Sequence, residues 1–176
     1  MASICVFCAS SLSVEAHYLE LAAEVGAELA VRGHTLISGG GAISSMGAVA
    51  RAARAGGAYT VGVIPRALMD LEVADRDSDE LVVTPDMRTR KAEMDARADA
   101  FLVLPGGIGT LEELLEVTTW SKLGIHAKPC GVLNVSGYYD PLGAMLDATV
   151  SEGFMAAEYR EILIFDPSPA ALLDRL

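Results

Sequence analysis

The sequence predicts an α/β fold in which a parallel sheet is flanked by helices. Short apolar runs rich in β-branched and aromatic residues alternate with longer runs rich in Ala, Leu and Glu, and this alternation is typical of βα units. The 17 glycines come in clusters that mark tight turns. With 176 residues, 52% of them hydrophobic, the chain can build one sizeable core but not two ordinary domains. We therefore expect residues 1–176 to form one domain.

Strands are predicted at the short apolar runs, and helices at the longer periodic runs between them. The predicted strands lie near residues 4–7, 35–37, 59–64, 81–84, 100–104, 130–133 and 162–165. The predicted helices cover residues 14–32, 44–55, 87–98, 110–123, 139–152 and 169–176. The connection at 70–80 holds six acidic residues and has no core periodicity, so we expect a surface loop beside a site there.

The charge balance excludes a general attraction to polyanions. Thirteen Lys and Arg against 24 Asp and Glu give a net charge of −11 at pH 7, which disfavours binding to nucleic acid or to an anionic membrane surface. No apolar stretch approaches the ~20 residues that span a bilayer, and no basic leader precedes the first apolar run. We therefore expect a cytoplasmic protein that binds an anionic ligand through local chemistry.

Three cysteines, Cys5, Cys8 and Cys130, are a sparse and odd set. In a reducing compartment such a set is more typical of small buried side chains than of a disulfide framework. Cys5 and Cys8 form a CxxC pair, but no second pair of ligands accompanies them and the three histidines are scattered. The sequence therefore favours a structural role over a redox or metal site.

Ligands of an open parallel sheet bind at the carboxyl ends of its strands, where turns lead into helix N-termini. A glycine turn at such a place exposes N–H groups and the positive end of the helix dipole, which suits a phosphate. For one loop alone, a tight turn without a ligand explains the glycines equally well, but two such loops in one small domain favour ligand binding. Three turns stand out: Cys8-Ala9-Ser10-Ser11, Ser38-Gly39-Gly40-Gly41 and Pro105-Gly106-Gly107-Ile108-Gly109-Thr110.

Neither glycine loop fits a standard nucleotide fingerprint. In the loop after the second strand, Ser44 stands where the GxGxxG pattern needs its third glycine. A P-loop needs a lysine within the glycine loop, and none is present there. The loops therefore indicate phosphate binding only through general backbone chemistry.

Charged residues accompany the last glycine loop. It continues as Thr110-Leu111-Glu112-Glu113, which places a hydroxyl at the predicted helix start and two carboxylates in its first turn. Capping and dipole effects of ~0.3–1 kcal/mol account for such residues; alternatively, one carboxylate acts on the ligand. Upstream, Arg90 and Lys91 lie in the first turn of a predicted helix, where the dipole disfavours cations. We expect them to meet an anion or a carboxylate.

At these residues the chain resembles the LOG family of cytokinin riboside 5′-monophosphate phosphoribohydrolases. The segment 105–113 matches the family's PGGxGTxxE motif, and the segment 87–91 matches its MxxRK motif. The segment 39–47, which includes Met46, matches its GGGxxxxMG loop. The resemblance runs from about residue 4 to residue 165 and includes Trp120.

The resemblance implies a Rossmann-like α/β homodimer that hydrolyses the N-glycosidic bond of N6-substituted AMP, and often of AMP, to the free base and ribose 5-phosphate. It implies no metal and no cofactor, and it places Arg90 and Glu113 at the catalytic positions. Together with the three turns, it gives this set of expected substrate contacts: Ser10, Ser11, Gly39, Gly40, Gly41, Met46, Glu72, Lys91, Gly106, Gly107, Ile108, Gly109, Thr110, Leu111, Glu112 and Thr119.

Cleavage of a purine N-glycoside develops positive charge on the ribose, which a carboxylate stabilises while it positions or activates water. We expect Glu113 in that role, with Arg90 either orienting Glu113 or binding the nucleotide. Ala9, Ser38 and the pair Ser44-Ser45 depart from the family pattern, and these departures concern base preference.

Two other functions and one interface follow from the same residues. A nucleotide-binding sensor or carrier would use the loops without catalysis. A pyridoxal-phosphate decarboxylase is disfavoured, because none of the three lysines (Lys91, Lys122 and Lys128) is placed for a Schiff base. The helix after the last glycine loop has an apolar surplus, so we expect part of it to lie in a homodimer interface, an ordinary core helix being the alternative. The residues concerned are Leu114, Leu115, Trp120 and Leu123.

Overall fold

A computed structural model of the protein describes residues 1–70 and 73–176. Within these residues the strands form one sheet of seven, and every neighbouring pair is parallel. The strands are β1 (Ser3–Phe7), β2 (Thr35–Ser38), β3 (Thr60–Pro65), β4 (Glu80–Thr84), β5 (Ala100–Val103), β6 (Cys130–Leu133) and β7 (Leu163–Asp166). The order β4-β3-β2-β1-β5-β6-β7 confirms the predicted parallel α/β fold.

Helices fill the connections between the strands. They are α1 (Ala16–Val31), α2 (Ser44–Ala55), α3 (Met87–Arg97), α4 (Ile108–Lys122), α5 (Asp140–Ser151), α6 (Ala157–Arg160) and α7 (Pro169–Leu173), with short 3₁₀ turns at Arg66–Leu68 and Val135–Gly137. Each predicted strand and helix is present, and their ends differ from the predicted ones by three residues at most. The one-turn helix α6 was not predicted, since four residues are too few to show a helical period.

The sheet separates two apolar cores. In β1, Ile4 and Val6 point into the core beneath α1 and α2, whereas Cys5 and Phe7 point into the core beneath α3 and α4. Strands buried on both faces explain the nearly continuous apolar runs of the sequence. All three cysteines are buried, as predicted.

The strand order reverses between β1 and β5, because β2 to β4 extend the sheet on one side and β5 to β7 on the other. Such a reversal leaves a crevice at the carboxyl ends of the strands. The turns after β1, β2 and β5 all open at this edge, so the three sequence-predicted turns are neighbours in the fold.

Two predictions about exposure are partly wrong. Leu114 was expected in a subunit interface, but it is completely buried beneath α4 because it points toward the sheet. The connection 70–80 was expected to be a surface loop, yet Ala74 and Asp75 are buried. Asp75 turns inward because the Arg54 guanidinium donates to both of its carboxylate oxygens, at 2.7 and 3.1 Å.

Among the described residues, no helix is both long and apolar enough to cross a bilayer.

Candidate active site

A cleft of about 300 Å³ lies at the carboxyl edge of the sheet. The turns after β1 and β5 form two of its walls, and the residues after β3 and the start of α3 close the others. The lining residues are Cys8, Ala9, Ser10, Ser11, Met46, Leu68, Met87, Arg90, Gly107, Ile108, Gly109, Thr110, Glu112 and Glu113. The fold therefore brings residues from five separate sequence segments to one place.

The glycine turn after β5 forms the N-terminus of α4. Gly107 is the N-cap residue in an extended conformation, and no side chain caps the helix. As at any helix start, the N–H groups of Ile108, Gly109 and Thr110 have no acceptor within the helix. All three residues line the cleft, so this turn offers backbone donors and a positive dipole end to an anion.

The helix begins two residues earlier than predicted. Thr110 was expected at the helix start, but Gly107 occupies the cap position and α4 begins at Ile108. Glu112 and Glu113 therefore belong to the second turn, and stabilisation of the helix end does not explain them. Thr110 instead packs on Gly106, where a Cβ atom would collide with the threonine side chain.

Arg90 is the central cation of the site and is 5% exposed. It lies in the first turn of α3, a helix whose N-cap Asp86 accepts a hydrogen bond from the Thr89 N–H at 2.8 Å. Its Nε donates to the Val63 carbonyl at 3.1 Å, and its Nη2 donates to the Gly39 carbonyl at 3.4 Å. These bonds join Arg90 to β3 and to the turn after β2, so the guanidinium has a fixed position.

The third nitrogen of that guanidinium faces Glu113. Nη1 of Arg90 lies 3.7 Å from Oε1 of Glu113, whose residue is 9% exposed. Loss of one partner of a buried ion pair leaves an uncompensated charge that costs several kcal/mol, so the position of each side chain depends on the other. Burial raises the pKa of the neighbouring Cys5 thiol well above its ordinary value, and the negative charge of Glu113 adds to the rise. The ion pair with Glu113 confirms the expectation that Arg90 meets an anion or a carboxylate.

Lys91 faces a different set of partners. Its Nζ contacts Glu112 and lies 2.9 Å from Oε2 of Glu116. Burial lowers the pKa of Lys91, but the hydrogen bonds to Glu112 and Glu116 outweigh it and raise the pKa above its ordinary value. Lys91 therefore pairs with carboxylates, one of the two kinds of partner that were expected. Its side chain does not line the cleft.

Several expected substrate contacts lie outside the lining of the cleft. Gly39 and Gly40 form the turn behind Arg90, and the N–H of Gly41 donates to the sulfur of Met46 at 3.1 Å. Leu111 packs against the core beneath α4. The remaining positions are these: Gly106 lines a neighbouring cavity, Thr119 is exposed and donates to the Leu115 carbonyl, and Glu72 lies outside the described residues.

Sequence reasoning missed Leu68 and Met87, which both line the cleft. Each follows the carboxyl end of a strand, β3 and β4 respectively. The rule that pointed to the three turns after β1, β2 and β5 also covers the residues that follow β3 and β4. Apolar side chains such as those of Leu68 and Met87 are common throughout a core, so their residue type does not indicate a binding site.

Among the described residues, no three His, Cys, Asp or Glu side chains are grouped so that they could hold a metal ion. The three lysines all have partners. Lys91 pairs with glutamates, Lys128 pairs with Asp95 at 3.0 Å, and Lys122 lies over the Tyr159 ring. None of them lines the cleft, so the chain offers no amine there for a pyridoxal-phosphate Schiff base.

The chain is similar to known proteins over nearly its whole length. Residues 46–176 match a family model described as "Possible lysine decarboxylase". The cytokinin riboside 5′-monophosphate phosphoribohydrolase LOG of Oryza sativa is 50% identical over 173 residues, which cover 98% of this chain and 72% of the relative. The phosphoribohydrolase LOG4 of Arabidopsis thaliana is 47% identical, with 98% and 80% covered.

A solved structure shares the fold. The molybdenum cofactor binding protein of Rippkaea orientalis superposes with a TM-score of 0.73 at 19% identity, covering 99% of this chain and 94% of that one. At this identity the likeness concerns the fold alone. The sequence relatives go further, because they are about half identical over nearly the whole chain. The chain therefore belongs to the LOG family, whose members above are named cytokinin riboside 5′-monophosphate phosphoribohydrolases.

Proposed function

We propose that this protein is a phosphoribohydrolase that acts on adenosine 5′-monophosphate and its N6-substituted forms, such as cytokinin riboside 5′-monophosphates. The products are the free base and ribose 5-phosphate. One observation carries the proposal: the buried Arg90–Glu113 pair opens into the same cleft as the N-terminus of α4. A carboxylate for the sugar and a site for the phosphate are thus side by side, and the names of the relatives support the same reaction.

The 5′-phosphate binds at the start of α4 in this scheme. The N–H groups of residues 107–110 and the Thr110 hydroxyl supply donors, and the helix dipole adds positive potential. The protein carries a net charge of −11, so these local donors, and not a general field, must attract the nucleotide. Binding energy from the phosphate then holds the ribose against Glu113.

Glu113 stabilises the positive charge that develops on the ribose and positions the attacking water. The C1′–N9 bond breaks, its electron pair leaves with the base, water adds a hydroxyl to C1′, and the water's second proton goes to the base. Arg90 acts on Glu113 in this scheme and not on the nucleotide. Its bonds to the Val63 and Gly39 carbonyls support that role, because they commit two of its nitrogens to the protein.

The size and lining of the cleft support a nucleotide ligand. A volume of about 300 Å³ is at the lower end of the range for small-molecule sites. Met46, Leu68 and Met87 add apolar surface for a purine ring next to the polar residues of α4. No lysine lies there for a decarboxylase, in spite of the name of the family model.

The deciding experiment is chromatography of the free base released from AMP and from N6-isopentenyl-AMP by the purified protein, with Glu113→Gln as control. Release from either substrate that disappears in the variant supports the proposal, and the ratio of the two rates identifies the preferred base. Binding of AMP without release by the wild-type protein would instead support a nucleotide sensor or carrier.

We also propose a homodimer formed partly through α4. Leu115 on this helix and Leu123 at its C-terminal cap are 44% and 66% exposed. Trp120 is half-buried. Exposed apolar groups on one helix are typical of a protein interface. Light scattering at micromolar concentration tests this, since a monomeric mass would contradict it.

A cytoplasmic location and a single domain spanning residues 1–176 belong to the same proposal. A sparse and odd set of three buried cysteines is typical of a reducing compartment. The strands of the described residues all belong to one sheet, which supports one domain.

A further inference from the structure

Two adjacent tyrosines contact the glycine loop of the cleft from behind. Tyr138 and Tyr139 lie between β6 and α5. The Tyr138 hydroxyl donates to the Gly106 carbonyl at 2.8 Å, and the Tyr139 hydroxyl donates to the Leu104 carbonyl at 2.7 Å. One connection therefore holds the backbone of the turn at two successive places.

The tyrosine pair is itself firmly held. The Tyr139 N–H donates to Oδ1 of Asn134 at 2.7 Å, and Nδ2 of Asn134 donates to Asp140 at 2.8 Å. The Tyr138 ring packs edge-on against Tyr139, with centroids 5.0 Å apart, and against Tyr18 at 5.8 Å. Burial raises the pKa of Tyr139, which is 2% exposed, so its hydroxyl remains protonated and able to donate.

The opposite side of the turn is equally confined. A Cβ atom on Gly106 would collide with the Thr110 side chain in the first turn of α4. Gly106 is thus enclosed between Tyr138 and Thr110. A shift of its peptide group would alter the direction of the next N–H groups along the chain, which belong to residues 107–110 at the cleft.

We infer that Tyr138 and Tyr139 are positioning residues for 5′-phosphate recognition, acting through Gly106 on the N–H groups at the start of α4. This inference rests on the proposed function, because it assigns those N–H groups to the phosphate. It makes the tyrosines responsible for the preference for a nucleotide over a nucleoside, although neither lines the cleft. The chemistry at C1′ is left to Glu113 and Arg90.

Tyr138→Phe is the sharpest test, because it removes one hydroxyl and leaves the ring contacts. A single neutral hydrogen bond contributes modestly, so we expect the Kd for ribose 5-phosphate and the KM for AMP to rise about threefold to tenfold. The kcat/KM for adenosine, which has no phosphate, is expected to stay at the wild-type value. Tyr139→Phe should act in the same direction. Tyr18→Phe is the matched control, since it removes the hydroxyl of a ring that packs against Tyr138 but forms no hydrogen bond with Gly106 among the described residues.

A merely structural role for Tyr138 would lower kcat/KM for AMP and adenosine in parallel, and that result would overturn the inference. An unchanged Kd for ribose 5-phosphate, measured by calorimetry, would overturn it as well. Calorimetry does not depend on turnover. If the wild-type protein releases no base but Tyr138→Phe still weakens ribose 5-phosphate, the proposed function fails and the inference stands. If the wild-type protein does not bind ribose 5-phosphate, the inference fails, and base release alone then decides the function.

Discussion

The two glycine turns, after β2 and after β5, differ in what their backbone groups contact. In the turn after β2, the Gly39 carbonyl accepts a hydrogen bond from Arg90, and the Gly41 N–H donates to Met46. This turn is therefore occupied with the protein's own side chains. In the turn after β5, the carbonyl of Gly106 is bound from behind by Tyr138, and the following N–H groups face the cleft. One glycine cluster thus binds the Arg90 guanidinium, while the residues after the other line the cleft with their backbone.

The contrast explains why the same sequence signal has two meanings. Gly39 is glycine because a Cβ atom there would collide with the Arg90 guanidinium, and Gly106 is glycine because a Cβ atom there would collide with Thr110. In both cases the missing side chain allows a close approach, but the approaching group differs. Damage to the first turn should therefore affect turnover, and damage to the second should affect binding.

The largest effect is expected at Glu113, which the turn after β2 reaches through Arg90. Glu113→Gln removes the charge that faces Arg90 and the developing ribose cation, so we expect kcat for AMP to fall at least about 100-fold. AMP binding, measured by equilibrium dialysis, should persist. Glu116→Gln is the control, because Glu116 pairs with Lys91 outside the cleft lining. A Glu113→Gln enzyme with near-normal kcat would remove Glu113 from the mechanism.

Gly39→Ala tests the turn itself. The new methyl group displaces the Arg90 guanidinium and thereby the carboxylate of Glu113. We expect kcat to fall about 10- to 100-fold, the scale of a small misplacement in an active site, with a lesser change in KM. Gly143→Ala offers a control in a helix, since a Cβ atom there meets only ordinary contacts. If KM changed while kcat did not, the two turns would have exchanged their assigned roles.

Gly106→Ala is expected to show the opposite pattern. The methyl group pushes against Thr110 and moves the N–H groups at the start of α4, so the KM for AMP should rise about tenfold. The kcat should change less than in Gly39→Ala. Steady-state kinetics on both variants measures the two parameters together. Equal effects on kcat in the two variants would mean that the turns are not functionally distinct.

The smallest effect concerns stability and lies beyond the first turn, at the start of α2. Ser44 has a left-handed backbone with φ of 53°, and its hydroxyl is buried without a hydrogen bond to any residue that the structure describes. We expect Ser44→Gly to raise the free energy of unfolding by about 1 kcal/mol, because glycine adopts this conformation without strain. Urea denaturation measures the change. Ser44→Ala separates the causes: it removes the hydroxyl but keeps the strain, so it should stabilise the protein less than Ser44→Gly.

Much of this architecture was predictable from local patterns, and the parts that were not depend on contacts distant in sequence. Alternating apolar runs predict the strands because a buried strand is apolar wherever it lies in the sheet. The start of α4 was misplaced because Gly107, without any side-chain cap, ends the turn earlier than the hydroxyl of Thr110 suggests. The burial of Asp75 depends on Arg54, 21 residues away. Likewise, the bond from Tyr138 to Gly106 spans 32 residues and has no local pattern.

The site residues follow the same division. The cations at the start of α3 predicted that Arg90 would meet an anion or a carboxylate, because the helix dipole disfavours positive charge there. The sequence left two roles open for Arg90, and the carbonyls of Val63 and Gly39 favour one of them. Backbone carbonyls are present at every residue, so no sequence pattern indicates which of them a guanidinium will find.

The bonds of Arg90 also have a consequence for how the protein acquires its activity. They join residues 27 and 51 positions apart, and the guanidinium faces Glu113 on yet another element. The pair can therefore exist only when β2, β3, α3 and α4 are all assembled. Parallel strands of this kind form late and cooperatively during folding, because their contacts are non-local. The rate at which base release recovers during refolding would thus measure complete assembly of these elements. Partially folded chains would be inactive.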